Sequence, residues 1–333
     1  QLLRTPLDPA ETFSEDPLRM MRAARFVAQL DFRLAPGVEA AMGGMAARLK
    51  IVSQERVRDE LLKLLLAPGP GRGLRVLSRT GLLAQISPEL AAMQGVEQTG
   101  YHLGDVLEHT CLALDAAAAE RMVRLAVLFH DVGKPPTQSP GPDGPTFHGH
   151  PQEGAAIAER VMRRLRFSGA EIDAVRQLVL LHMRPIQYSS EWADGAVRRL
   201  WHAAGPLLPE LMGLARADTR GSSFPSEDQL DQLEQRLSQV GQENPAGIRP
   251  HLDGRQLQHA FGNGPGPWVG RAQRLLLEAL MDGELPAPGE PGSEAAARAF
   301  LEERRSVWQQ LPGESSPRRR GRPASDPEAE PSS

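Results

Sequence analysis

Apolar residues recur at intervals of three and four along most of the chain. This spacing places them on one face of an α-helix. Leu18, Met21, Ala24 and Ala28 give one such face. No alternating run of β-branched residues, the mark of a half-buried strand, stands out. The pattern therefore predicts an all-α protein.

Capping and helix-breaking residues set the ends of the predicted helices. Ser14 is followed by two acidic residues and a proline, so we expect it to be the N-cap of the first helix. Gly81 is expected to follow the end of a later helix. The predicted helices cover residues 18–30, 37–49, 53–66 with Ser53 as N-cap, and 70–79.

The helical segments and the breaks between them divide the chain into four parts. Residues 1–98 form a first helical region, 102–220 a helical bundle, and 221–311 a C-terminal helical segment interrupted by Gly-Pro clusters. Residues 312–333 are rich in Pro, Ser and charge without apolar periodicity, which predicts a disordered tail.

Composition narrows the kinds of site the chain can hold. Its single cysteine, Cys111, excludes an intramolecular disulfide framework and a Cys-rich zinc site, so a metal would be held by His and carboxylate side chains. No apolar run approaches the roughly 18 residues that span a bilayer, and the N-terminus does not read as a secretion signal. We therefore expect a cytoplasmic protein without a membrane partner.

Charge is unevenly distributed along the chain. Residues 1–95 carry 13 Lys and Arg against 10 Asp and Glu, whereas the remainder carries 25 against 32. A surplus of three positive charges is compatible with a phosphate-binding surface and equally with a solvated helix face. Charge alone does not separate these two interpretations.

A polar stripe precedes and enters the first helix. Asp16 and Arg19 are three residues apart, and Arg22 is next along the same face. A carboxylate beside a planar guanidinium can pair with the edge of a nucleobase. The same spacing also suits an ion pair between Asp16 and Arg19 on an exposed helix. The residues alone leave both interpretations open.

The segment ETFSEDPLRMMRAARFVAQLDF and the later VSQERVRDELLKLLLAPGPGRGLRVLSRTGLLAQISPEL resemble the neck and body of class II tRNA nucleotidyltransferases and bacterial poly(A) polymerases over residues 4–90. The resemblance implies that Glu15, Asp16 and Arg19 form an amino-acid template that selects CTP or ATP. Arg22 joins this set of candidate nucleotide-binding residues. The resemblance also implies tRNA as a partner.

One departure from that family concerns its polymerase head, which lies N-terminal to the neck and holds Mg²⁺ with an Asp-x-Asp pair. No Asp-x-Asp occurs in the sequence. Because nucleotide transfer needs such carboxylates, we expect a chain without the head, which by itself transfers no nucleotide.

A second constellation consists of histidines and aspartates that each lie in or just after an apolar helical stretch. Imidazole and carboxylate ligands suit a divalent ion such as Mg²⁺, Mn²⁺, Ni²⁺, Co²⁺ or Zn²⁺. A lone histidine is usually a core or surface residue, but the combination with a His-Asp doublet is specific. The candidate ligands are His109, His130, Asp131, Asp218 and, for a second ion, His150 and His182.

This arrangement over about residues 102–220 resembles the HD superfamily of metal-dependent phosphohydrolases. The resemblance implies catalytic roles for His130 and Asp131, with a bound metal that activates water. Lys134 either meets a substrate phosphate or is a helix C-terminal cation. Four further histidines match no family position and are expected to be structural or exposed; they are His148, His202, His251 and His259.

Together these patterns predict a protein of tRNA 3′-end processing (CCA addition). It would combine RNA binding with HD-type phosphohydrolase or phosphodiesterase activity, and would use CTP or ATP when a head is present. The alternatives are a free-standing HD-domain nucleotide phosphohydrolase and an RNA-binding module whose metal is structural. Oligomeric state is not predicted.

Overall fold

The computed structural model describes residues 1–98, 104–142, 144–222, 226–244 and 247–309. The predicted disordered tail, 312–333, lies outside the described residues. The helices are α1 (Pro9–Glu15), α2 (Leu18–Leu30), α3 (Pro36–Met45), α4 (Gln54–Leu65), α5 (Pro70–Arg79), α6 (Leu82–Ile86), α7 (Pro88–Ala91), α8 (Val106–Ala116), α9 (Arg121–Phe129), α10 (Lys134–Thr137), α11 (His150–Arg164), α12 (Gly169–Leu181), α13 (Met183–Ile186), α14 (Asp194–Ala204), α15 (Leu208–Arg220), α16 (Asp228–Glu243), α17 (Gly254–Phe261), α18 (Pro267–Asp282), α19 (Ser293–Glu303) and α20 (Arg305–Gln309). Short 3-10 helices cover Ala46–Ile51 and Gly205–Leu207. The predicted all-α class is confirmed.

Strand structure among the described residues is confined to two small sheets. β1 (Leu2–Leu3) pairs in parallel with β2 (Arg33–Leu34), and β3 (Ser139–Gly141) forms an antiparallel hairpin with β4 (Gly144–Thr146). Two or three residues are too few to display an alternating pattern. The sequence pattern therefore did not predict them.

The first helices begin differently from the prediction at one point. Asp8 caps α1 by accepting a hydrogen bond from the Ala10 N–H, so that Ser14 lies inside this helix and is not a cap. At the start of α2 it is Asp16 that accepts from the Leu18 N–H, at 3.1 Å. The Ser14 prediction was wrong because an earlier cap starts a helix that the apolar pattern did not show.

The other predicted helix ends agree more closely. Ser53 caps α4 by accepting from the Arg56 N–H, and α5 ends at Arg79, before Gly81, as predicted. The helix predicted over 37–49 becomes α3 followed by a 3-10 helix to Ile51. These ends depend on local capping, which the sequence displays directly.

The chain forms two compact units, Gln1–Gly247 and Ile248–Ser333. In the first unit α2 packs against α4 and α5, and α5 packs against α8. The helix α9 lies between α8, α12 and α15, and its residues 123–129 are all buried. This central helix ends where His130 and Asp131 follow, so the core of the bundle fixes their position.

The second unit is held by its own apolar core. Trp308 is fully buried and lies beside the rings of Trp268 and Phe261. Large aromatic side chains contribute much of the buried apolar surface in such a small core. The helices α17 to α20 pack around this cluster.

Candidate metal centre and nucleotide cavity

Four of the nine histidines present the same ring nitrogen to one region of the first unit. In each of them Nδ1 lies within hydrogen-bonding distance of a backbone carbonyl. A carbonyl only accepts, so Nδ1 carries the proton and Nε2 keeps a lone pair when the ring is neutral. The pairs are His109 with Gly221 (3.3 Å), His130 with Val127 (2.8 Å), His150 with Phe147 (2.9 Å) and His182 with Val179 (2.6 Å).

The Nε2 atoms converge on the carboxylate of Asp131 from two sides. Oδ2 of Asp131 lies 3.2 Å from His130 Nε2 and 3.9 Å from His109 Nε2. Oδ1 lies 3.7 Å from His150 Nε2 and 3.9 Å from His182 Nε2. Asp131 thus belongs to two groups of potential ligands, one on each oxygen.

Asp218 adds a carboxylate to the first group. Its Oδ1 lies 2.9 Å from His109 Nε2 and 3.8 Å from His130 Nε2. The side chains of the predicted metal-ligand set are at most 12% exposed. The fold therefore brings all six predicted ligands together in a buried cluster.

The donor set fits a divalent cation on physical grounds. His150 Nε2 and His182 Nε2 are 3.3 Å apart, and both rings use Nδ1 as the donor. Two neutral rings in this state turn lone pairs toward each other, an arrangement that a cation between them relieves. Ligating histidines commonly hold the other nitrogen on a carbonyl in this manner.

The pKa values of two histidines in the cluster are shifted in opposite directions. Burial lowers the pKa of His130, but the neighbouring Asp131 and Asp218 carboxylates outweigh it and raise that pKa to about 9. Burial lowers the pKa of His182 to about 4, with the positive charge of His130 acting in the same direction. Without a metal ion, a proton therefore resides on His130, while His182 stays neutral.

Lys134 is the buried cation of the site. Its Nζ lies 2.7 Å from Asp131 Oδ2 and donates to Gln98 Oε1 at 2.5 Å. The ring of Phe147 lies beneath it, with Nζ 5.6 Å from the ring centroid. Lys134 thus contacts a candidate ligand directly, from the first residue of α10.

A cleft of about 1530 Å³ opens onto this cluster. Asp131, Lys134 and Asp218 line it, together with two residues that sequence reasoning did not select, His148 and Arg184. Their signal in the sequence was weak, because only proximity to His150 and His182 distinguishes them. Of the remaining histidines, His202 and His259 are exposed, and His251 is buried with Nε2 2.6 Å from the Pro286 carbonyl.

Three of the four predicted nucleotide-binding residues border a second cavity, of about 510 Å³, next to α1 and α2. Glu15, Arg19 and Arg22 line it. Asp16 is not among the lining residues, and its Oδ2 pairs with Arg56 Nη2 at 2.9 Å. Arg19 pairs with Glu15 at 2.5 Å, so the ion pair considered between Asp16 and Arg19 is replaced by two others.

Two segments of the chain match known family profiles. Residues 31–94 match the profile described as "Probable RNA and SrmB- binding site of polymerase A", and residues 99–220 match the HD domain. The metal-ligand cluster lies within the HD match, as expected from the resemblance in the sequence. The chain is thus an RNA-binding helical block followed by an HD domain.

The chain is also similar in sequence to two known tRNA nucleotidyltransferases. The A-adding tRNA nucleotidyltransferase of Deinococcus radiodurans is 38% identical over 304 residues, covering 86% of this chain and 68% of the relative. The CC-adding tRNA nucleotidyltransferase of Thermus thermophilus is 36% identical over 306 residues, covering 87% and 67%. The chain belongs to the tRNA nucleotidyltransferase family, and it spans about two thirds of the length of these relatives.

A solved structure supports the fold. The Bacillus stearothermophilus CCA-adding enzyme, crystallised in complex with CTP, aligns with a TM-score of 0.62 at 23% identity, covering 92% of this chain and 66% of that chain. At this identity the likeness concerns the fold alone. Among the described helices none has the length and apolarity needed to cross a membrane.

Proposed function

We propose that this chain contributes RNA binding and metal-dependent phosphoester hydrolysis to tRNA 3′-end processing. The observation that carries the hydrolase part is the convergence of four Nε2 atoms on the two oxygens of Asp131. In this proposal the chain has four parts: neck and body (1–98), HD domain (102–220), C-terminal helical segment (221–311) and tail (312–333). We also propose that the protein is cytoplasmic, because tRNA is the expected partner.

The six buried ligands would hold divalent ions in two groups that share Asp131. When bound, such an ion supplies Lewis-acid activation of water and of the phosphoryl oxygen. Hydrolysis forms one bond from water oxygen to phosphorus and breaks the bond to the leaving alcohol, which receives a proton. Asp131, held by Lys134, is placed to orient the ligands on both sides.

The protein's own groups then have separate roles. The carbonyls behind each Nδ1 fix the rings, so that Nε2 faces the centre without reorientation. The Lys134 ammonium keeps the Asp131 carboxylate ionised; although burial opposes it, the charges of His130 and Lys134 hold the pKa of Asp131 well below its usual range. We propose His130, Asp131 and Lys134 as the residues on which turnover depends.

Hydrolysis is tested with the purified chain after removal of metal by EDTA. Addition of Mn²⁺, Ni²⁺, Co²⁺, Zn²⁺ or Mg²⁺, one at a time, should restore cleavage of a 2′,3′-cyclic nucleotide or an aryl phosphate diester. Asp131→Asn replaces one of the two ligand oxygens by an amide nitrogen and removes the negative charge. It should therefore lower kcat/KM by more than the roughly 10–100-fold that loss of a partner behind a ligand costs. His202→Gln, exposed and outside the cleft lining, is the control. Activity that survives EDTA and Asp131→Asn contradicts the proposal.

The second part of the proposal is that Glu15, Asp16, Arg19 and Arg22 select the nucleotide, CTP or ATP. Its support is the cavity that three of them line. Since Asp16 is engaged by Arg56, we infer that this pair opens when a base edge is bound. The sequence has no Asp-x-Asp pair, so these residues by themselves are not expected to transfer nucleotides.

Nucleotide selection is tested by equilibrium binding of CTP, ATP, GTP and UTP to the chain. Arg19→Ala should reduce the preference for CTP and ATP by about 1–3 kcal/mol, the cost of leaving a base edge without its partner. Arg33→Ala, outside the cavity lining, should leave the preference unchanged. Equal discrimination in Arg19→Ala and in the unsubstituted chain would remove the template role.

A further inference from the structure

His148 and Arg184 lie beside the second ligand group, one on each of the two segments that meet there. His148 precedes His150 by two residues, and Arg184 follows His182 by two. Two Cα–Cα steps span at most about 7.6 Å, so both side chains start close to the ligands. Since His150 Nε2 and His182 Nε2 are 3.3 Å apart, these two segments approach each other at this point, and both residues line the same cleft.

Arg184 is open to an anion. Its side chain is exposed, and among the described residues no carboxylate pairs with it. The arginines of α11 are different, because Arg160, Arg163 and Arg164 each pair with a glutamate. A guanidinium without a carboxylate on a cleft wall is suited to bind a phosphate by charge-assisted hydrogen bonds.

The cleft offers one position for a phosphate at the buried ligands and a second at the exposed residues His148 and Arg184. The ligand side chains are at most 12% exposed, whereas His148 and Arg184, which line the same cleft, are exposed. The cleft volume of about 1530 Å³ exceeds the roughly 300–1,000 Å³ usual for small-molecule sites. There is room for a group attached to the one that reacts at the metal cluster.

We propose that His148 and Arg184 bind a second phosphate, the one that joins the reacting nucleotide to its neighbour. The HD cleft is then built for the end of an RNA strand in preference to a free mononucleotide. Leu180, Leu181 and Ile186 line the same cleft as Arg184 and offer apolar contact to a sugar or base. The inference rests on the proposed hydrolase activity and names its class of substrate.

The kinetic test compares an RNA trinucleotide ending in a 2′,3′-cyclic phosphate with the matching cyclic mononucleotide. The metal-loaded chain should cleave the trinucleotide with about tenfold higher kcat/KM, as expected for one charge-assisted phosphate contact. Arg184→Gln should abolish this advantage by lowering cleavage of the trinucleotide about tenfold more than cleavage of the mononucleotide, and His148→Gln should reduce the advantage about threefold. Arg176→Gln is the matched control, an exposed arginine of α12 outside the cleft lining.

Two results overturn the subsite: equal cleavage of both substrates by the unsubstituted chain, or an equal loss on both in Arg184→Gln. A cyclic mononucleotide with a 5′-phosphate carries the second phosphate without a neighbouring nucleoside. If it is cleaved as well as the trinucleotide, the preference for a strand end is wrong.

Binding without metal separates this inference from the hydrolase proposal. Anisotropy of a 5′-fluorescein-labelled trinucleotide with a 3′-phosphate is measured on EDTA-treated protein. Arg184→Gln should weaken binding about tenfold relative to Arg176→Gln. Unchanged binding overturns the subsite even if hydrolysis occurs, whereas weakened binding without any hydrolysis supports the subsite and overturns the hydrolase proposal.

Discussion

At the scale of single residues, the candidate metal centre depends most on Asp131. Its Oδ2 faces His109 and His130, and its Oδ1 faces His150 and His182. One carboxylate therefore belongs to both groups of potential ligands. A change at Asp131 should affect both groups, while a change at an outlying histidine should affect only one.

Metal stoichiometry should follow this division. We expect two Mn²⁺ ions per chain in a titration calorimeter, one in His150→Gln, and binding weakened at least about 100-fold in Asp131→Asn. His202→Gln should bind like the unsubstituted chain. Two ions bound to His150→Gln with unchanged affinity would contradict the assignment of His150.

The pH dependence of the same titration has a predicted sign. Without metal the pKa of His130 is about 9, so below pH 9 a metal must displace its proton. Apparent affinity should therefore fall as the pH is lowered from 9 to 7, by up to about tenfold per pH unit. Titrations in buffers of different ionisation enthalpy should detect one released proton; an affinity that rises at lower pH would be inconsistent with this assignment.

At the scale of elements, α9 joins the RNA-binding block to the HD bundle. Its buried Arg124 donates to the carbonyls of Leu65, the last residue of α4, and Ala67, and to those of Ala117 and Ala118 after α8. The last carbonyls of a helix have no partner within the helix. Arg124 thus satisfies two helix ends at once and fixes the position of α9, which leads to His130.

Replacing Arg124 by Met should be strongly destabilising. Carbonyls at two buried helix ends would lose their donor, a loss of about 3 kcal/mol or more in the free energy of unfolding. Urea unfolding followed by circular dichroism measures the shift in midpoint. Arg176→Met, at an exposed site, should change the free energy by no more than about 0.5 kcal/mol, and equal midpoints for both variants would refute the role of Arg124.

At the scale of the whole molecule, the proposed partner is tRNA, and the neck and body should contribute much of the contact. Arg33 and Lys50 are exposed, and among the described residues no carboxylate pairs with them. Each phosphate contact releases counterions, which makes affinity fall with salt. These two residues provide a specific test of where the RNA lies.

Filter binding of tRNA across a salt series should give a steep decrease in affinity. Arg33→Gln and Lys50→Gln should each reduce the log-log slope by about 1 and weaken binding at low salt. Arg176→Gln, on the HD bundle, is the control. A double variant of Arg33 and Lys50 with unchanged slope would remove the neck and body from the RNA surface.

The sequence was enough to predict the helical class and most ends of the four helices given bounds, because periodicity and capping act over a few residues. The family was predicted from its motifs. Ser53 and Gly81 marked helix ends that the structure confirms. Tertiary packing alone decided which distant side chains meet: His109 reaches Asp218 across 109 positions, and Asp16 pairs with Arg56 across 40. The sharing of Asp131 by two groups of ligands, and the cleft that His148 and Arg184 both line, also follow from how helices pack. No local pattern encodes such contacts, since they depend on the burial of whole helix faces against each other.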